Sequence, residues 1–319
     1  MRLPVVFALG LVACGSSETH DPQADTGATP RDSGGRVRDG GTDGPVDAGT
    51  SSHDSSRADA SDASSHACKR GIATNTPPSA ALAGTAGAPG VTWWYDWSTT
   101  HDGGSAAIEF VPMVWGSADL GAALPAGAKY VLGFNEPNFK AQSDLTAAQA
   151  AADWPMIQQP AKASGALLVS PAVNFCGSAT DPSQCSDPTV TDPYTYLSEF
   201  LADCDGCEVD YVAVHWYNCD LPSLQGYIDG NTLNGGNLPG FVQLDKPIWL
   251  TEFACDATHS VADQKAYMEA AVPYLESNPH VFRYSWFSAS NIPNALLANP
   301  DGTPTELGTT YAGLAQACP

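Results

Sequence analysis

Basic residues are scarce in this sequence of 319 residues. Lysine and arginine together number 13, against 35 aspartates and glutamates, so the formal net charge at pH 7 is −22. A nucleic-acid-binding surface needs clustered basic side chains that neutralise phosphates. The composition therefore excludes nucleic acid as a partner, and we interpret the acidity as surface solvation.

Metal-binding spacings are also missing from the sequence. The seven histidines form no H-x-x-x-H or related pair. Cys204 and Cys207 form a C-x-x-C motif, but no second such pair accompanies it, so it is weak evidence for zinc. We therefore expect no metal and no other cofactor, with a zinc site as the alternative for these two cysteines.

Large apolar residues are nearly absent between Ser16 and His66, where Val37 and Val46 are almost the only ones. A segment rich in Asp, Gly, Ser, Ala and Thr buries too little apolar surface to offset the entropy that it loses on ordering. Residues 15–67 are therefore predicted to be a disordered acidic linker that serves as a tether.

An apolar stretch at the N-terminus, residues 3–13, follows Arg2 and precedes Cys14. It is too short to span a bilayer and is typical of a signal peptide. Residues 11–14, Leu-Val-Ala-Cys, resemble the lipobox of bacterial lipoproteins, whose cysteine carries the lipid anchor. We expect residues 1–14 to be such a signal, and the exported protein to be held at the outer membrane or cell surface through Cys14 alone. The alternative is an ordinary cleaved signal and a secreted protein.

Nine cysteines are present, and eight remain when Cys14 is set aside. An even number in an exported protein indicates disulfides, although sequence alone does not give their connectivity. Two of the four expected pairs each close a short loop. A third joins two cysteines that each follow a strand, and the fourth joins the two ends of the folded part. The four pairs are Cys176 with Cys185, Cys204 with Cys207, Cys219 with Cys255, and Cys68 with Cys318.

The folded part, residues 68–319, has roughly the size of a (β/α)8 barrel. Eight short apolar or aromatic runs recur along it, with helix signals between several of them, and this alternation predicts a parallel sheet. The runs are "GIAT" near 71, "VTWWYDWS" from 91, "IEFVPMVWG" from 108, "YVLGFNEPN" from 130, "ALLVSPAVN" from 166, "VDYVAVHWY" from 209, "PIWLTEFA" from 247 and "VFRYSWFS" from 281. We therefore predict a TIM barrel that forms a single domain.

Two helices are predicted from their start signals. Thr146 and Gln149 form a capping box, and apolar residues follow at helical spacing. Ser260 begins the second helix, in which Val261 is expected on the apolar face and Pro279 follows the end.

Two of the eight runs deliver a glutamate to a strand end, Glu136 in the fourth and Glu252 in the seventh. Reactive groups of a TIM barrel lie at the C-terminal ends of its strands, so these carboxyls are expected to face each other. A retaining glycosidase uses two carboxyl groups about 5 Å apart, an acid with a raised pKa and a nucleophile with a low one. For either glutamate alone, a strand-end cap or a loop salt bridge is the alternative.

Seven motifs occur in one order and together resemble glycoside hydrolase family 128. They are "KRGIA", "WWYDWS", "GFNEPN", "SPA", "HWY", "IWLTEFAC" and "RYSWF". The resemblance spans Lys69 to about Ala317 and implies a retaining endo-β-1,3-glucanase that needs no cofactor. It further implies that Glu136 is the acid/base, that Glu252 is the nucleophile, and that Asn135 binds the 2-hydroxyl of the cleaved sugar.

Aromatic side chains at strand ends are candidates for substrate contacts, because sugars stack their C–H faces on aromatic rings. The strand-end candidates are Trp97, Trp115, Trp216, Tyr217 and Trp286. By alternation Tyr95 shares a face with Trp97, and His215 shares one with Tyr217, so these two are candidates as well. The resemblance implies that Trp286 is the platform beneath the cleaved sugar and that Tyr217 orients Glu252. Packing against a helix is the alternative for any one tryptophan, and a buried core position is the alternative for His215.

Three other functions fit parts of the sequence. The enzyme acts on another β-linked polysaccharide if its loops select a different substrate. A surface carbohydrate-binding protein would keep the groove without turnover, but pure binding does not require an acid opposite a nucleophile. A structural lipoprotein would leave the strand-end aromatics unexplained. A monomer is the expected state.

Overall fold

The computed structural model describes residues 68–85, 88–178, 180–230, 239–316 and 318. The predicted signal segment with Cys14 and the predicted linker lie outside these residues. Within the described ranges, no helix has both the length and the apolar content needed to cross a bilayer.

One parallel eight-stranded sheet dominates the described residues. Its strands are β1 Arg70–Ala73, β4 Trp93–Tyr95, β5 Glu109–Phe110, β6 Tyr130–Leu132, β7 Leu167–Val173, β8 Tyr211–Trp216, β9 Ile248–Phe253 and β10 Val281–Phe287; β2 Gly84–Thr85 and β3 Ala88–Pro89 form a separate antiparallel pair. The order in the sheet is β5-β4-β1-β10-β9-β8-β7-β6. Seven of the eight strands fall within the runs predicted from the sequence, and β1 begins at Arg70, one residue before the run "GIAT".

The two ends of the sheet meet through the segment that follows β5. Met113 forms a parallel bridge with Leu132, the last residue of β6. Leu132 N donates to Pro112 O at 2.9 Å, and Val114 N donates to Leu132 O at 3.0 Å. The sheet is therefore closed, and the predicted (β/α)8 barrel is confirmed.

Helices occupy the later strand connections. The α-helices of the described residues are α1 Ala147–Asp153, α2 Pro155–Ser164, α3 Pro193–Asp203, α4 Leu221–Asp229, α5 Val261–Ser277 and α6 Glu306–Gly313. Short 3-10 segments lie at Ala80–Leu82, Ser117–Asp119, Phe241–Leu244 and Pro293–Ala295. In the described residues before β6, the connections contain only 3-10 turns and the β2–β3 pair in place of α-helices.

Both predicted helix starts are confirmed. Thr146 and Gln149 form a reciprocal capping box at α1, and Ser260 forms one with Asp263 at α5. The expectation for Val261 is wrong, because this residue is 40% exposed. Val261 is the first residue of α5, whose first three residues are all exposed, and burial begins at Gln264.

Aromatic rings fill the barrel interior on the N-terminal side of the strand ends. The guanidinium of Arg283 lies 4.6 Å from the ring centre of Tyr130 and 5.0 Å from that of Trp249. Its charge is paired with Glu109 at 2.7 Å. Such stacking, with an ion pair, makes a buried arginine tolerable. This layer supports the strand ends, where the candidate site lies.

In the described part of the chain, four disulfides close loops and join the ends of the domain. They are Cys68–Cys318, Cys176–Cys185, Cys204–Cys207 and Cys219–Cys255, the four pairs expected from the sequence. The zinc alternative for the C-x-x-C motif is therefore not adopted.

Candidate active site

Glu136 is delivered by the backbone that continues β6 beyond its last residue. Asn135 N donates to Trp115 O at 2.9 Å on one side, and Glu136 N donates to Ala172 O at 2.8 Å on the other. The chain thus stays hydrogen-bonded to both neighbouring segments up to the glutamate itself. Glycine at 133 permits this path, because a Cβ there would lie 2.7 Å from the ring of Trp154.

The backbone at Glu136 is strained. Its φ is +40°, in the left-handed region that side-chain-bearing residues rarely adopt. The turn that follows is fixed through Pro137, whose carbonyl accepts hydrogen bonds from Leu145 N and Ser186 Oγ, both at 2.8 Å. Strain of this kind persists where the surroundings over-determine the backbone, and it concentrates at functional sites.

Glu252 lies in β9 and is surrounded by three hydrogen-bond donors. Trp97 Nε1 donates to its Oε1 at 2.7 Å, and the Tyr95 hydroxyl donates to the same oxygen at 3.1 Å. The Tyr217 hydroxyl donates to Oε2. Trp97 also has a positive φ, +60°, so two of the four described non-glycine residues with positive φ belong to this site. The carboxylate is 4% exposed and firmly oriented.

His215 lies between the two glutamates. Its Nδ1 is 2.9 Å from Oε1 of Glu136 and 3.3 Å from Oε2 of Glu252, and its side chain is fully buried. An ionised carboxylate only accepts hydrogen bonds, so Nδ1 is the protonated nitrogen that faces them. His215 is therefore buried in the core, as the alternative to a substrate contact expected, and it contacts both carboxyls.

The two carboxyls approach closely across the barrel mouth. One oxygen of Glu136, one of Glu252 and one nitrogen of His215 all lie within 4.8 Å of one another. These three atoms are also close enough together to bind one metal ion. The three residues come from separate strands, however, and their spacing along the sequence matches no metal-binding motif. For two carboxyls alone, this proximity matches the requirement of a retaining glycosidase.

The electrostatics of the site follow from burial and charge. Burial raises the pKa of Glu252, the positive charge of His215 opposes that rise, and the charge of Glu136 adds to it. The donors Tyr217 and Trp97 lower the pKa of Glu252 but do not outweigh burial. The expected low pKa of Glu252 is therefore not found in the free site. Burial would lower the pKa of His215, but the two carboxylates outweigh it and raise that pKa.

Two asparagines flank Glu136. The predicted sugar ligand Asn135 is 1% exposed, and its Oδ1 has no hydrogen-bond partner among the described residues. Asn174, directly after β7, donates from Nδ2 to Oε1 of Glu136 at 3.4 Å. Sequence analysis missed Asn174, because an asparagine that follows an apolar strand is also an ordinary loop residue.

The structure places Trp286 away from the site, so its prediction as a platform is wrong. Trp286 is fully buried, its indole donates to Ala295 O at 2.8 Å, and its ring packs edge-on against Phe253. The next residue of β10, Phe287, faces the site and contacts Trp97 and Tyr217 at ring-centre distances of 5.7 and 5.4 Å. Both faces of β10 are buried, so apolarity did not show which residue points inward.

Tyr95 and Trp97, expected as substrate contacts, lie against Glu252 instead. Tyr95 is fully buried and Trp97 is 7% exposed, and both donate to Glu252. Tyr217 contacts Glu252, as the resemblance implied. Tyrosine and tryptophan each carry a polar group on an apolar body, which suits them to orient a buried carboxylate.

Residues 71–311 match the glycosyl hydrolase catalytic core family. A crystal structure of a subgroup II endo-β-1,3-glucanase of family 128 from Sorangium cellulosum shares 40% identity, covering 79% of this chain and 99% of that one, with a TM-score of 0.62. The chain belongs to glycoside hydrolase family 128. This family 128 chain is also similar to a subgroup I endo-β-1,3-glucanase variant from Amycolatopsis mediterranei in complex with laminarihexaose, at 26% identity and a TM-score of 0.58, covering 78% of this chain and all of that one.

A curated relative of this family 128 chain is alkali-sensitive linkage protein 1 of Schizosaccharomyces pombe. The two are 33% identical over an alignment of 239 residues, and the match covers 70% of this chain. The chain spans only 40% of the length of that relative. The similarity therefore concerns the catalytic core and not the whole of the fungal protein.

Proposed function

We propose that this enzyme is a retaining, endo-acting β-1,3-glucanase that works by double displacement. The observation that carries the proposal is the approach of Glu136 and Glu252, whose carboxylate oxygens come within 4.8 Å at the C-terminal end of the barrel. An inverting enzyme needs carboxyls farther apart, to admit a water between them and the sugar.

Glu136 is the proposed acid/base and Glu252 the proposed nucleophile. In the first step, Glu252 attacks the anomeric carbon while Glu136 gives its proton to the departing glycosidic oxygen. This forms a glycosyl-enzyme ester and releases the leaving-side sugar. In the second step, Glu136 takes a proton from water, whose oxygen displaces Glu252 and restores the original anomeric configuration.

The surrounding donors suit these two roles. Tyr217 and Trp97 hold the Glu252 carboxylate in one orientation, ready for in-line attack. His215 provides a donor to both carboxyls. The unpartnered Oδ1 of Asn135 is available to a sugar hydroxyl once substrate occupies the site.

The substrate assignment rests on the relatives. One endo-β-1,3-glucanase is 40% identical to this chain over nearly the whole length of that enzyme. A variant of a second endo-β-1,3-glucanase binds laminarihexaose. Another β-linked polymer or a binding-only role are the competing outcomes. Double displacement needs no metal, so we expect activity to survive chelation.

Reducing-sugar release from linear β-1,3-glucan tests the proposal. The assay uses a soluble fragment that begins near Ala67 and so lacks the predicted signal segment and linker. We expect activity in the wild type and losses of several orders of magnitude in Glu136→Gln and Glu252→Gln. Glu269→Gln, on the exposed surface of α5, is the matched control and should retain full activity. Activity on a different glucan alone would overturn the substrate, and binding without turnover on any glucan would favour the binding-protein role.

Export and lipid anchoring at Cys14 complete the proposal, with residues 68–319 as a monomeric catalytic domain. The lipobox-like residues 11–14 support the anchor. Metabolic labelling with a fatty acid should mark the wild-type chain in a bacterial host and fail to mark Cys14→Ser. Equal labelling of both chains, or of neither, would contradict the anchor. Light scattering of the soluble piece checks the monomer.

A further inference from the structure

The loop after β7 is attached to the proposed acid/base. Asn174 uses both ends of its amide, because Nδ2 donates to Glu136 at 3.4 Å while Oδ1 accepts from Phe175 N at 2.8 Å. Asn138, two residues after Glu136, donates from Nδ2 to Asn174 O at 2.6 Å. The backbone position of Phe175 is thus coupled to that of Glu136.

A disulfide fixes the same loop from its other side. Cys176 and Cys185 are bonded and fully buried. The loop also pairs with the turn after Glu136, through a bridge between Phe139 and Cys185 and a 2.9 Å hydrogen bond from Lys140 N to Gln184 O. These contacts hold the loop in place, so a side chain that is exposed on it cannot become buried by a rearrangement of the loop.

Phe175 nevertheless presents its ring to solvent. It is 48% exposed, one of three exposed large apolar residues in the described part of the chain. Its ring lies 5.6 Å from that of Tyr227, which in turn lies 4.8 Å from that of Trp216. Phe175, Tyr227 and Trp216, here called the aromatic platform, form a continuous row from solvent to the end of β8.

The aromatic platform lies on the acid/base side of the site. Phe175 directly follows Asn174, whose Nδ2 donates to Glu136. Burial raises the pKa of Tyr227, and the negative charges of Asp192 and Glu136 add to that rise, so Tyr227 is within electrostatic reach of the acid/base. A second group of rings, Phe287 among them, surrounds the Glu252 side.

We propose that Phe175, backed by Tyr227 and Trp216, is the stacking surface for the sugar unit on the leaving-group side of the scissile bond. The inference rests on the proposed function, in which Glu136 protonates the oxygen of that unit. The sugar next to this oxygen must lie beside the loop that holds Glu136. Its apolar C–H face matches an exposed ring on a rigid loop.

Two substrates separate this contact from the chemistry. A linear β-1,3-linked hexasaccharide places sugar units on the leaving-group side. In a β-configured disaccharide fluoride the leaving group is a single fluoride ion, so no sugar lies on that side. We expect Phe175→Ala to lower kcat/KM for the hexasaccharide about tenfold, the scale of one stacking contact, and to change that for the fluoride less than twofold. Phe175→Trp should restore the hexasaccharide value. Met156→Ala, which removes an equally exposed apolar side chain from α2, should resemble wild type on both substrates.

The outcomes distinguish the stacking role of Phe175 from the glucanase assignment. Equal values for Phe175→Ala and wild type on the hexasaccharide would overturn the platform while the glucanase assignment stands. Equal losses on both substrates would also overturn it, since they would show that Phe175 supports the nucleophile or the fold. A shift of the basic limb of the hexasaccharide pH profile in Phe175→Ala would overturn it as well, since it would show that Phe175 acts only through Glu136. A wild type that cleaves neither substrate would refute the proposed function itself, and the platform with it.

Discussion

Nδ1 of the fully buried His215 lies 2.9 Å from Oε1 of Glu136. The same nitrogen reaches Glu252 at 3.3 Å, so one proton serves two carboxyls. Two close carboxylates in a low-dielectric site repel each other, and a shared cation offsets part of that cost. The histidine is therefore a positioning residue whose charge bears on the ionisation of the proposed nucleophile.

Replacing His215 should shift the pH dependence of activity. The positive charge of His215 lowers the pKa of Glu252, so His215→Asn should raise that pKa further. The nucleophile must be ionised, so the acid limb of the kcat/KM profile should move to higher pH by on the order of one unit. The exposed His280→Asn is the control. An acid limb that stays in place while only the maximal rate falls would contradict this role.

Glu252→Gln should stabilise the fold near neutral pH. Because the folded-state pKa of Glu252 is raised, the protonated form stabilises the fold at low pH, and that contribution is lost as pH rises through the folded-state pKa. Glutamine remains neutral, so we expect a gain in Tm of about 2–4 °C at pH 7 that shrinks toward pH 4. Thermal unfolding at both pH values measures it, with Glu269→Gln as the control. A gain that is independent of pH would count against the buried charge as its cause.

Gly133→Ala tests how the strand delivers Glu136. An added Cβ would lie 2.7 Å from the Trp154 ring and 3.0 Å from backbone atoms of Ser170 and Pro171, which cannot easily move. We expect a loss of about 1–3 kcal/mol in the free energy of unfolding, together with reduced activity. Gly313→Ala meets no atom within 4 Å and should be neutral or slightly stabilising. Denaturant unfolding decides, and equal effects of the two changes would refute the packing argument.

The disulfide Cys219–Cys255 joins the loops that follow β8 and β9, next to Tyr217 and Glu252. It closes a chain separation of 36 residues. Replacing both cysteines by alanine should cost about 3–4 kcal/mol of stability and lower kcat as the two strand ends loosen.

Removal of the Cys204–Cys207 disulfide provides the comparison. Its separation is 3 residues, so its loss should cost much less stability and leave kcat unchanged. Chemical denaturation and initial rates under identical conditions test both pairs. A larger effect from the shorter loop would show that loop closure is not the source of the stabilisation.

The barrel and the two glutamates could be predicted because the signals were local. Each buried strand is a short apolar run, and Glu136 and Glu252 interrupt such runs at the strand ends. The orientation of β10 could not be predicted, since both of its faces are buried and Trp286 and Phe287 are equally apolar. Asn174 and Phe175 could not be predicted either, because their positions depend on the path of the loop after β7. Hydrogen bonds and a disulfide determine that path, and the sequence shows no periodicity there.

The anomeric form of the first product tests the central claim most directly. Proton NMR during rapid hydrolysis of a β-1,3-linked oligosaccharide distinguishes the two anomers before mutarotation mixes them. With carboxylate oxygens within 4.8 Å, we predict that the new reducing end appears first as the β-anomer. Initial appearance of the α-anomer would mean inversion, and it would contradict the assignment of Glu252 as a nucleophile.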